Sequence, residues 1–192
     1  MLRTPLSLVL TLRGYIVNEE EFWEIVESSG SPDKSSPDEQ CEKITEKLAG
    51  KSKEELVSFA NIHRELLCKA YTWSMLKASF IIVSYISDDV FEDFRNWVIL
   101  NGKQRFYKTL EQPDIIASYI DAVDPVEEVT GESLLYICDE AWDGDLEELE
   151  DGSVYPEDPV IDDEWPPKEK LQQEFPKLYD QFWNEENIRT LT

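Results

Sequence analysis

Asp88, Asp89, Glu92, Asp93 and Arg95 form the densest group of ionisable side chains within any helix-patterned stretch of this chain. Asp88 and Glu92 stand one helical turn apart, as do Asp89 and Asp93, and like charges at that spacing repel by roughly a few tenths of a kcal/mol. A basic side chain, or a divalent cation held through oxygens, would relieve the repulsion. With His63 as acid or base, the group would suit a metal-dependent hydrolase. The plainer reading is preferred: the aspartates complement the helix dipole in its first turn, and Arg95 is a buried ion-pair partner that positions the helix. His63, between Ile62 and Leu66, then sits at the edge of the core.

A second concentration of charge runs from Asp139 to Trp165, with thirteen acidic residues and no Lys or Arg. Trp142, Asp143, Asp145, Glu147, Glu148, Glu150, Asp151, Tyr155 and Trp165 combine carboxylates with aromatic anchors, the mixture that a basic protein partner would meet. Such a surface could neutralise a cationic enzyme, for example a nuclease toxin, by covering its nucleic-acid groove. The expected role is therefore an immunity-like, inhibitor-like interaction module; a structural or regulatory module of an assembly is a further alternative, and a solvated insertion is the bland one. Asp143-Gly-Asp145-Leu-Glu147 begins like a calcium loop, but Glu148 stands where glycine is needed and Val154 where the bidentate glutamate is needed.

Composition narrows the classes further. The 192 residues carry 42 acidic and 18 basic side chains, a formal net charge of -24. That charge disfavours nucleic acid and anionic membrane surfaces as partners. Cys41, Cys68 and Cys138 are far apart, lack Cys-x-x-Cys spacing and read as buried thiols, and one histidine is too few for an ordinary zinc site. No glycine-rich phosphate cradle, Gly-x-Ser-x-Gly elbow or paired nucleophile and base can be assembled, so no catalytic residue and no cofactor is expected. The apolar run after Met1 is short, ends at Arg13 and lacks a small-residue cleavage site. No stretch approaches the roughly 20 apolar residues of a membrane span, and a soluble, cytoplasmic protein is expected.

The elements that must position these groups are mainly helices. The expected architecture is a single domain over 1–192: a helical bundle core (18–138), a strand-like N-terminal extension (1–17), a long acidic loop (139–167) and a C-terminal helix (168–186). Asn18 caps a helix bearing Phe22, Trp23, Ile25 and Val26, and Pro37 opens a second that ends at Gly50. Ser52 and Glu55 form a capping box before a periodic stretch from Leu56 to Phe80, with a break expected near Tyr71 to Ser74. Ser87 caps the helix of the acidic run, which ends near Gly102. Shorter helices are expected near Lys103 to Leu110, Pro113 to Ala122 and Glu132 to Trp142. Leu6, Leu8, Leu10 and Leu12 alternate with smaller or polar residues at a strand period, with Gly152 to Val160 as the suggested pairing partner.

The succession Ala70-Tyr-Thr-Trp73, Ser87-Asp-Asp-Val-Phe-Glu-Asp-Phe-Arg-Asn-Trp-Val-Ile99, Asn101-Gly-Lys-Gln-Arg-Phe-Tyr107 and Gln112-Pro-Asp114 resembles a bacterial domain of unknown function. Phe22-Trp23 and Phe175-Pro-Lys-Leu-Tyr179 fit the same plan, so the likeness spans about Phe22 to Trp183. It departs at Tyr85 and Ile86, where that family usually has Gly and Cys. The resemblance implies no activity.

Overall fold

The computed structural model of the chain describes residues 16–31, 36–120, 129–161 and 164–185. Its first five helices each begin where a short polar side chain can hold the free amides of the first turn. In α1 (Glu19–Ser28), Asn18 accepts from the amides of Glu20 and Glu21, and the Glu21 carboxylate accepts from the Asn18 amide. Ser36 with Glu39 closes the same reciprocal box on α2 (Pro37–Leu48), and Ser52 with Glu55 does so on α3 (Lys53–Ala70). Thr72 caps α4 (Trp73–Val83), and Ser87 caps α5 (Asp88–Leu100). The amide that opens α6 (Lys103–Glu111) is held from a distance, by Glu27 of α1 at 2.9 Å.

Two 3-10 helices follow, Pro113–Ser118 and Glu132–Leu135, and then α7 (Ile137–Ala141), α8 (Leu146–Glu150), α9 (Lys168–Glu174) and α10 (Pro176–Phe182). The helices close around one core in which Phe22, Trp23, Phe59, Phe94 and Phe106 are fully buried. Phe22 meets Trp23 edge-on and Phe59 at 4.5 Å between ring centres, which joins α1 to α3. The chain turns by 84° between α3 and α4, at the break expected near Tyr71. Among the described residues no single helix is long and apolar enough to cross a membrane.

One expectation falls partly outside the described residues and two are corrected. The strand at Leu6 to Leu12 lies outside the described residues, and Gly152 to Val160, its suggested partner, is irregular; no strand occurs among the described residues. The acidic stretch 139–167 is not a loop throughout, because the end of α7 and all of α8 lie within it. Asp145 caps α8 by accepting from the Glu147 amide at 3.1 Å, and Leu149 is buried against the core. The single helix expected over 168–186 is two, because Pro176 has no amide to continue the ladder and pushes Phe175 (φ -129°, ψ 59°) out of the helical region.

Gly131 governs how the second 3-10 helix sits on α5. A Cβ there would lie 2.5 Å from the backbone nitrogen of Trp97 and 2.7 Å from Cβ of Asn96, so only glycine permits this approach.

Candidate functional site

The apolar row Leu56, Phe59, Ala60, His63 and Leu67 recurs at helical spacing on α3 and forms one wall of a cleft of about 280 Å³. Leu134, Ile137, Cys138 and Asp139 close the opposite side, Glu92 enters from α5, and Leu149, Ser153 and Tyr155 come from the acidic segment. A second row on α3 holds that segment in place. Asn61 donates to the Gly152 carbonyl at 3.0 Å and accepts from the Val154 amide at 2.7 Å. Arg64 lies over the Tyr155 ring at 4.5 Å, and the Cys68 thiol donates to the Glu157 carbonyl. Residues 152–157 thus form a strap that runs alongside α3.

His63 is 5% exposed, and its Nε2 lies 2.7 Å from Oδ1 of Asn96. A carbonyl oxygen only accepts, so Nε2 carries the hydrogen and Nδ1 is left as the ring's acceptor. Burial drops the imidazole's pKa to about 4, which keeps the ring neutral at physiological pH. Asn96 is itself fully buried, and its Nδ2 finds no acceptor among the described residues. Cys138 donates to the Leu56 carbonyl, and burial pushes its thiol up to about 12, far from a thiolate at neutral pH. Cys41 is buried and likewise held at about 12, whereas Cys68 is half-buried rather than buried as expected.

The acidic run of α5 divides. Asp88 and Asp89 are exposed in the first turn, Glu92 lines the cleft, and Asp93 is half-buried beside it without entering the lining. Burial, reinforced by Glu132, Glu92 and Asp89, raises the Asp93 carboxyl to about 6. Arg95 corrects its expected role. It is buried but makes no carboxylate ion pair among the described residues. Its guanidinium instead donates to the carbonyls of Phe91 and Leu67 and lies against the rings of Tyr71 and Phe91 at 4.6 and 4.8 Å. Burial lowers its pKa, opposed by the field of Asp158 and Glu92. Among the described residues no three His, Cys, Asp or Glu side chains converge as a metal site.

Of the residues expected to meet a partner, Asp143, Asp145, Glu147, Glu148, Glu150 and Asp151 are exposed on and beside α8. The Trp142 indole donates to the Asp145 carbonyl at 3.1 Å and packs so closely on Gly144 that a Cβ there would lie 2.5 Å from the ring. Tyr155 borders the cleft. Trp165 does not belong with them, since its ring packs on Trp73 and Phe80 at the α4 face. Asn61, Arg64 and Gly131 were not singled out from the sequence. Polar Asn61 and Arg64, three apart on a helix otherwise needed for the core, were the only signal available.

Residues 17–144 match the family described as a protein of unknown function, DUF4240. The chain belongs to the DUF4240 family. The match agrees with the expected domain of unknown function and ends at Gly144, short of the Trp183 suggested by the resemblance. The α3, α5 and α7 walls of the cleft therefore lie within the DUF4240 span, and Leu149, Ser153 and Tyr155 lie beyond it. No curated protein and no solved structure matches the chain.

Proposed function

We propose that this DUF4240 protein is an acidic interaction module that holds a basic protein partner on the surface of Tyr136 to Val160, acting as an immunity-like inhibitor. One observation carries the reading. Five of the six large apolar side chains exposed among the described residues, Tyr136, Leu146, Val154, Tyr155 and Val160, fall in this stretch, which has ten carboxylates and no cation. Scattered single apolar residues are ordinary on a surface, and their concentration in one stretch supports reading it as a contact region. Carboxylates around them would steer a cationic protein in and set its orientation, while the apolar side chains supply the desolvated anchors. A nuclease with a basic nucleic-acid groove has the matching chemistry.

The test is capture from native lysate at low salt on two baits, the wild type and a Glu147→Gln, Glu148→Gln, Glu150→Gln, Asp151→Asn variant. A basic protein held by the wild type, released by salt and lost from the folded variant is the expected result; equal capture by both baits would remove the acidic segment from the mechanism. If the captured protein is a nuclease, its activity should fall on addition of the wild type.

A further inference from the structure

We propose that the cleft between α3, α7 and the strap is the receptor for an arginine side chain projected by the basic partner; this rests on the interaction reading above and says where its anchor docks. The cleft has the size for it. At about 280 Å³ it falls just below the roughly 300–1,000 Å³ of pockets that take whole drug-sized ligands, as a receptor for one long side chain should. Leu56, Leu134 and Leu149 offer apolar walls to an aliphatic stem.

The polar groups of the lining match the chemistry of a guanidinium. His63 lines the cleft, is more than nine-tenths buried, and has Nδ1 without a hydrogen-bond partner among the described residues once Nε2 is committed to Asn96. Glu92 and Asp139 add two carboxylates. The one cation in the lining, Arg64, is already engaged by the Tyr155 ring and by Oδ1 of Asn61 at 3.1 Å. Three separate acceptors at one apolar slot suit the several donors of a planar guanidinium better than a lysine's compact ammonium. Leu149, Ser153 and Tyr155 of the acidic segment belong to the lining, so a side chain held here touches the segment that receives the partner. Arginine filling a desolvated pocket is also a common form of interface hot spot.

N-acetyl-arginine methylamide serves as the probe, titrated into the full chain with backbone and side-chain NMR shifts as the readout, and N-acetyl-norvaline methylamide as the control without a guanidinium. Saturable shifts at Ala60, His63 and Leu135, absent with the control, are expected. A Glu92→Gln, Asp139→Asn variant should weaken the arginine probe by roughly tenfold or more. Ala60→Leu should abolish the cleft shifts by filling the slot, and the fourfold α8 variant should keep them. Shifts confined to Glu147 to Asp151 would overturn the cleft as receptor while leaving the acidic surface as the binding site. No shift at all would likewise overturn it, with the surface then judged by the capture experiment alone.

Discussion

At the scale of single residues, the molecule carries two titrating groups with opposite consequences. His63 is depressed from 6.5 to about 4 by burial, so the unfolded chain takes up its proton first as pH falls. Its contribution is present above pH 6.5 and is lost as pH drops toward 4, by at most about 3 kcal/mol. Asp93 is raised from 3.8 to about 6, so its ionisation in the folded state opposes folding above that range and the opposition fades as pH falls from 6 toward 3.8. The two partly cancel in the same window. An Asp93→Asn variant should therefore melt higher than wild type at pH 7 and lose stability more steeply between pH 6.5 and 4. Thermal melts across that range check both, and parallel curves would remove Asp93 from the balance.

At the scale of elements, the contact between α5 and the 3-10 helix Glu132–Leu135 is the closest approach to backbone atoms among the described glycines. It also brings Glu132 toward Asp93, adding to the burial that chiefly raises that carboxyl. Gly131→Ala should destabilise the fold by about 1–3 kcal/mol through overpacking against backbone that cannot yield. In chemical denaturation this appears as a lower midpoint with an unchanged slope. Gly144, against the Trp142 ring, is a milder case, because an aromatic side chain near the surface can shift where backbone cannot.

At the scale of the whole molecule, a net charge of -24 meets few ion pairs among the described residues. Lys51–Glu55, Lys53–Asp151, Lys103–Glu20 and Lys168–Glu185 lie at the surface, and Lys77–Glu174 is the more buried pair. Surface pairs of this kind contribute little, whereas self-repulsion of unpaired carboxylates acts across the whole surface. Raising ionic strength from about 0.01 M to about 0.15 M shortens the screening length from about 30 Å to about 8 Å. The melting temperature should rise over that interval, the reverse of a protein held by its ion pairs. The same salt should weaken capture of a basic partner, so stability and association should move in opposite directions.

Much of the chain's local organisation was legible in its residues. Asn18, Pro37, the Ser52–Glu55 box, Ser87 and the break at Tyr71 all lie where their types and spacing place them. The reason is reach: a capping hydrogen bond spans two or three residues, and a helical face is written in a period of 3.6. The concentration of carboxylates after Asp139 was equally plain from composition. What the tertiary structure alone decided joins residues far apart in the chain. His63 meets Asn96, Asn61 meets Gly152 and Val154, Arg95 meets the Leu67 carbonyl, and Trp165 goes to Trp73 instead of the acidic segment. The helix α8 belongs to the same class, because burying Leu149 against α3 turns a charge-rich stretch into ordered structure. None of these contacts has a local signature. Each is selected by which apolar faces close on one another, and that choice is made by the packing of the entire core.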